Sequence, residues 1–303
     1  MAAETTIDAP FALPVVLTHP AEKVSWRPTW WKEVGFLGMH VGALAGAIYV
    51  GATWRTVLFA VWAYFFRMFF ITAGYHRYFA HRSYKTSRAF QLLLAVFGMT
   101  AGQKGPIWWA SHHRHHHKYS DMPEDTHSPV QHGFFWAHMG WIMSPRFKAT
   151  RWDLMRDFER YPELRFLNRF WVFPQFIALA AVWLVLGFPY AVWGGLVSTI
   201  FLWHGTFTIN SLSHIFGSRR YETTDTSKNN PYLALITMGE GWHNNHHHYQ
   251  SSAAQGFRWY ELDLSFEILR VLSWLGIVWD LRLPPARVAS EVIEAEEVKS
   301  NSH

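Results

Sequence analysis

Four stretches of the chain are almost wholly apolar: residues 34–52, 56–75, 170–188 and 190–209. Each is long enough to cross a bilayer, whose hydrocarbon core takes about 20 such residues per helix. Only a few residues around 53–55 separate the first two, and 187–189 joins the second two. Both pairs therefore read as helical hairpins. Arg67 interrupts the second run, and a charge at that depth must face protein or reach toward the interface. A fifth apolar run, 90–101, is short for a span and reads as an interfacial or re-entrant helix.

The polar positions set the orientation. Segment 77–169 holds many Lys and Arg, the 187–189 turn holds none, and the first turn holds only Arg55. By the positive-inside rule both termini and the middle segment are cytoplasmic. The expected fold is an all-α integral membrane protein, with four transmembrane helices in two hairpins and a cytoplasmic helical cap. Residues 1–33 form an N-terminal segment, 34–286 the membrane domain, and 287–303 a polar tail.

Composition narrows the chemistry. The chain has no Cys, so disulfides, thiolate metal sites and thiol nucleophiles are excluded. A net charge of +5, with His counted neutral, is too modest to argue for nucleic acid, and no basic helix or binding motif supports it. Half of the residues are hydrophobic and 18% are aromatic, which suits contact with lipid. The N-terminus lacks the basic start and long apolar core of a secretory signal.

Histidine carries the functional signal. His76 and His81 lie in HRYFAH, His113, His116 and His117 in HRHHH, and His243, His246 and His247 in HNNHH. On the predicted topology all three clusters fall on one side of the membrane. Residues at i, i+3 and i+4 share a helix face, which aligns each of the two triplets. His76 and His81 are five apart, a spacing that fits a distorted helix end. Neutral imidazole is the commonest protein metal ligand, and all-imidazole ligation suits iron, zinc, copper or nickel. A hydrolytic zinc site needs three protein ligands and an open position; eight imidazoles imply two metals. Two irons can activate O₂ and take hydrogen from an unactivated C–H bond, which redox-silent zinc cannot do. His112, His115 and His248 flank the clusters as neighbours or exposed residues. His127, His132 and His138 either shape the site or serve packing. His19, His40 and His303 read as incidental.

The spacing HxxxxH, HxxHH, HxxHH between paired hairpins resembles the membrane fatty-acid desaturases, in the Δ9, stearoyl-CoA-desaturase-like branch. The resemblance runs over residues 74–249. GYHRYFAHRSYK, WASHHRHHHKYSD, DTHSPVQHGFFWAHMGW, NSLSHIFG and GEGWHNNHH match in order and spacing. It implies two irons bound by the eight box histidines and by His214, with Asn210 approaching one metal through water. Asn210 and His214 lie i, i+4 and so share a helix face. It also implies a bent acyl tunnel, with Gln103, Trp109 and Thr206 at the bend and Tyr64 and Met68 near the methyl end. One position departs: the animal acyl-CoA enzymes carry Arg-Asp before the second box, where this chain has Ser111 and His112. The implied reaction is O₂-dependent insertion of a cis-Δ9 double bond into a long-chain acyl group, with acyl-CoA the expected carrier and acyl carrier protein or a lipid as alternatives. Zinc is the expected purification substitute for iron. With no cytochrome b5 or ferredoxin domain in the sequence, electrons are expected from a separate ferredoxin-like or cytochrome-b5-like protein. Two rivals stand beside this reading: a membrane diiron hydroxylase and a histidine-rich metal transporter.

Overall fold

The computed structural model describes residues 26–29, 31 and 33–290. Most of segment 1–33 with His19, and the tail from residue 291 with His303, lie outside the described residues. All four apolar runs are helical. Helix α1 (Val34–Val50) turns Val34, Val41, Leu44, Ile48 and Tyr49 outward, all well exposed. Gly51, at φ 68°, ends it in the left-handed conformation that glycine adopts without a side-chain penalty. Thr53 then starts α2 (Trp54–Phe69): its hydroxyl accepts from the Thr56 N–H, and the Thr56 hydroxyl accepts from the Thr53 N–H. This reciprocal pair satisfies two otherwise unbonded groups and fixes the hairpin turn.

Helix α2 continues without a break into a π-wound stretch, Phe70–Ala80. The combined helix Trp54–Ala80 is the only single helix among the described residues long and apolar enough to cross a membrane. Arg67 faces protein, as its position required. It is buried, and its five N–H groups donate to Ala63 O, Thr100 O, Thr199 Oγ1, Gly194 O and Ser198 Oγ. These bonds tie α2 to its neighbours.

The 90–101 run becomes α3 (Arg88–Met99), capped by Ser87, whose hydroxyl accepts from the Phe90 N–H. It buries Gln91, Leu94, Ala95 and Gly98 while Leu92 and Leu93 stay exposed. That is the one-sided pattern of a helix lying on the molecule rather than piercing it. Gly98 is a contact point: a Cβ there would sit 2.3 Å from the Tyr75 ring. Helix α4 (Pro106–Tyr119) starts at Pro106, whose fixed φ suits the first turn.

The second hairpin departs from a simple pair of rods. Helix α5 (Pro162–Arg169) meets α6 (Phe173–Leu186) at a 72° bend, and the two together qualify as one broken span or a re-entrant turn. The chain then returns through a π-wound stretch, Ala191–Val197, into α7 (Ser198–Ser211) and a 3₁₀ turn, Leu212–His214. Among the described residues, then, one helix is long and apolar enough to cross a membrane, or two with the bent pair counted, where the hydropathy pattern predicts four. The α1 and α6 helices are 17 and 14 residues long, short of the usual span. A short helix, α8 (His243–His248), lies in the cap, and helices Leu264–Trp274 and Ala286–Ser290 follow it. Lys85–Thr86 pairs antiparallel with Val278–Trp279 and fastens the C-terminal part of the cap to the start of α3.

Candidate metal centre

Four elements converge at the cap end of α2. The π-wound stretch supplies His76, and His81 follows it; α4 supplies His113, His116 and His117; the turn after α7 supplies His214; α8 supplies His243, His246 and His247. The winding explains the five-residue spacing. The His81 N–H bonds to His76 O at 3.1 Å, an i→i+5 bond, and that pitch stacks residues five apart on one face. Their rings lie 4.7 Å apart, centroid to centroid.

The nine histidines sort into two groups. His76, His81, His113, His117 and His246 form one; His116, His214, His243 and His247 form the other. Within each group one ring nitrogen per residue lies within 4.8 Å of all the others. Each i, i+3, i+4 triplet straddles the pair. His113 and His117 point to the five-histidine group and His116 to the other; His243 and His247 point to the four-histidine group and His246 to the other. The His117 and His247 rings, 4.5 Å apart, join the two.

Three observations fit metal ions at both places. In the first group the Nε2 atoms of His76 and His246, His81 and His113, His113 and His117, and His117 and His246 lie 2.8–3.1 Å apart. Nitrogens held about 2.1 Å from a shared ion come roughly 3 Å from each other. In the second group, Nε2 of His116 and of His247 are buried with no hydrogen-bond partner. Buried polar atoms rarely go unpaired, and both aim into the group. Finally, carboxylates hold the far sides of four rings: Glu240 on His76 Nδ1, Asp125 on His116 Nδ1 (2.8 Å), Asp121 on His214 Nδ1 (3.1 Å) and Asp225 on His247 Nδ1 (2.5 Å). An Nδ1–H donated to a carboxylate leaves the Nε2 lone pair free to bind a metal. The four carboxylates carry the charge that would balance two divalent ions.

Electrostatics keep most rings neutral. Burial, reinforced by neighbouring imidazoles, holds His81, His113, His117, His243 and His246 well below the usual imidazole range. Burial also lowers His247 to about 4 against the opposing pull of Asp225. His116 goes the other way: burial depresses it, but Asp125 outweighs that and raises it. Burial would raise Asp121, Asp125, Asp225 and Glu240, yet their histidine partners and further hydrogen bonds bring all four down. They stay ionised.

A cavity of about 500 Å³ reaches the five-histidine group at His113 and is also lined by His127 and Asn210. Gln103, Trp109 and Thr206 line it as well and form one network: Trp109 Nε1 donates to Gln103 Oε1 (3.0 Å), and Gln103 Nε2 to Thr206 Oγ1 (2.7 Å). Tyr64 and Met68 line neither this cavity nor a smaller one beside Arg67. Met68 is fully buried in the core, and the Tyr64 hydroxyl donates to Ile236 O. A Cβ on Gly205 would lie 3.3 Å from the Met68 Cε and closer still to the Tyr64 hydroxyl, so the two side chains fill that space.

The flanking histidines stay out of both groups. His112 bonds to Ala149 O and His115 to Thr126 Oγ1; both are buried rather than exposed. His248 stacks on Tyr221. His127 packs against His116, within reach of Asp125. His132 packs on Trp26. His138 bonds to Ser211 Oγ and to His204, which bonds in turn to His40, so His40 is part of a hydrogen-bonded chain rather than incidental. Sequence reasoning missed the four supporting carboxylates. Their signal was position: Asp121 and Asp125 follow the second cluster, and Glu240 precedes the third by three residues.

Comparison with known proteins identifies the family. The family described as fatty acid desaturase matches residues 52–273. The chain is 36% identical over 272 residues to an sn-1 stearoyl-lipid 9-desaturase of Anabaena variabilis, covering 88% of this chain and 97% of that protein. It is 34% identical over 278 residues to an acyl-CoA C20 Delta5-desaturase of Anemone leveillei, covering 89% and 88%. A chloroplastic palmitoyl-monogalactosyldiacylglycerol delta-7 desaturase of Arabidopsis thaliana is 34% identical over 279 residues, covering 89% and 74%. With the matched region spanning all nine histidines, the chain belongs to the fatty acid desaturase family.

Proposed function

We propose that the protein inserts a cis double bond at Δ9 of a saturated long-chain acyl group, using O₂ and an external electron donor. The observation that carries this is the nine-histidine pair of groups, reached at His113 by a largely apolar cavity. The five-histidine group would hold one iron and the four-histidine group the other, with Asn210 reaching one of them through water. Such a pair supplies the redox chemistry that breaks two unactivated C–H bonds. The overall change takes two hydrogens from the chain; two electrons from the donor and two protons complete the reduction of O₂ to two waters. The protein's own groups bind and place the chain. Each buried methylene contributes about 0.8 kcal/mol, and the Gln103–Trp109–Thr206 network fixes the wall beside His113.

The reading places four spans in the membrane, with both termini and the metal centre on the cytoplasmic side. The outward apolar faces of α1 and α6 support this. The names of the relatives include Δ5, Δ7 and Δ9 enzymes and both acyl-CoA and lipid carriers; the match to the stearoyl 9-desaturase supports Δ9. A metal transporter would need a polar path through the spans. The buried charge there, Arg67, is instead fully engaged by neutral oxygens. Expression in a host without this activity, followed by mass spectrometry of its fatty acids, tests the reaction. A new acid two hydrogens lighter than its precursor, with the double bond at Δ9, is expected. A hydroxylated product instead would replace desaturation with hydroxylation.

A further inference from the structure

The large cavity does more than reach the metal centre. One wall is Gly35, Phe36 and Met39 of α1; the opposing wall is Trp171, Val172, Gln175 and Phe176, at and after the α5–α6 bend. Gly35 and Phe176 each line the cavity and are both exposed, Phe176 by 56%, and their neighbours Val34 and Ile177 are exposed beside them. The cavity therefore opens sideways between the two helices. Both helices pack chiefly on the Ala191–Val197 stretch behind them rather than on each other. Their outer faces beside the opening are apolar: Val34, Leu37 and Val41 on one side, Phe173 and Ile177 on the other. The charged groups that line it are Glu33, Lys104 and Lys148. Glu33 pairs with Lys148, and the Lys104 ammonium lies 4.0 Å from the centre of the Trp108 ring; all four residues line the cavity.

We infer that this gap between α1 and the α5–α6 bend is a lateral portal through which the acyl chain of a membrane glycerolipid enters from the bilayer. The inference rests on the proposed membrane placement and desaturase activity. An apolar chain entering this way moves from lipid to cavity without crossing water. The Glu33, Lys104 and Lys148 groups meet the ester and head group at the interface. The cavity then leads the chain past Trp109 to His113.

Gly35 offers a clean test, because a Cβ there meets nothing within 4 Å. Gly35→Trp should fit the helix and plug the opening. Gly42 has equally open surroundings but does not line the cavity, so Gly42→Trp is the control. Iron-loaded protein would be placed in dioleoyl phosphatidylcholine vesicles doped with distearoyl phosphatidylcholine, with reduced ferredoxin supplied outside. A parallel series would receive stearoyl-CoA in water. Wild type should desaturate the vesicle-held chain. Gly35→Trp should lower that rate by roughly 100-fold, the scale of loss when a reacting chain is misplaced by about an ångström, with iron content unchanged. Gly42→Trp should match wild type. If Gly35→Trp fails to fold, Phe176→Ala trims the other edge and should raise kcat/KM for the vesicle-held chain. A wild-type rate in Gly35→Trp, an unchanged kcat/KM in Phe176→Ala, or turnover of stearoyl-CoA alone would overturn the portal. Product from neither carrier would overturn the proposed activity itself, a result distinct from these.

Discussion

Asp225→Asn tests how the four-histidine group is held. Asp225 Oδ1 accepts from the Ser227 N–H (3.0 Å) and the Thr223 hydroxyl (3.0 Å), while Oδ2 accepts from His247 Nδ1 at 2.5 Å. An asparagine keeps the first two bonds through its carbonyl. Its amide N–H₂ then faces His247 Nδ1, donor against donor. The ring relieves this by moving its proton to Nε2, the atom aimed into the group. His247 so loses the lone pair that would bind metal, although no atom has been removed. Loss of such a supporting partner costs about 10–100-fold in metal affinity, or roughly 1.4–2.7 kcal/mol. The five-histidine group draws its carboxylate support from Glu240 rather than Asp225 and should keep its ion. The assay is metal content after dialysis against graded chelator, alongside turnover. Iron should fall from two toward one per chain at chelator levels that wild type resists, with activity lost in step. Two irons held as tightly as in wild type, with full turnover, would refute the tautomer argument.

Other outcomes follow from the same geometry. Asn210→Ala should lower turnover by about 10–100-fold while leaving iron content and unfolding temperature unchanged; wild-type turnover would remove Asn210 from the site. Gly98→Ala should destabilise by about 1–3 kcal/mol through overpacking against Tyr75, although Ala normally gains about 1 kcal/mol over Gly in a helix. Gly42→Ala, which meets nothing, should show the normal gain in a thermal unfolding assay. The metal-free protein should lose stability as pH falls below about 6.5. There the unfolded imidazoles take up protons that buried His81, His113, His117, His243 and His246 refuse. Each such group contributes roughly 1.4 kcal/mol per pH unit until its own lowered pKa is reached. His116, raised by Asp125, opposes this only in part; a flat profile between pH 7 and 5 would show that the buried imidazoles do not resist protonation.

The site was more legible in the sequence than the membrane architecture. Helical spacing alone placed His113, His116 and His117, and His243, His246 and His247, on shared faces. The odd spacing of His76 and His81 pointed to a distortion, which is the π-wound end of α2. What spacing could not give was the division of each triplet between two groups, because that depends on how α4 and α8 cross. Glu240 and Asp121 were unread because their partners, His76 and His214, lie 164 and 93 residues away in the chain, while Asp125 and Asp225, nine and 22 residues from His116 and His247, share no helix with them. Apolar runs located all four hydrophobic helices, but hydropathy does not register a 72° bend at 170–172. The tunnel residues divided by physical kind. Gln103, Trp109 and Thr206 are polar groups that need one another, and they line the cavity. Met68 and Tyr64 pack against the small surface of Gly205, a contact no local pattern announces.

The proposed reaction needs two redox-active irons in the nine-histidine centre. Zinc binds all-nitrogen sites more tightly than ferrous iron, so purified protein should arrive with zinc and little activity. The most direct measurement strips the metal, reloads separate samples with iron or zinc, and compares metal content with desaturation of a stearoyl chain. Two ions per chain are expected in both samples, and product only with iron. Equal turnover with zinc, or full turnover with a single iron, would contradict it.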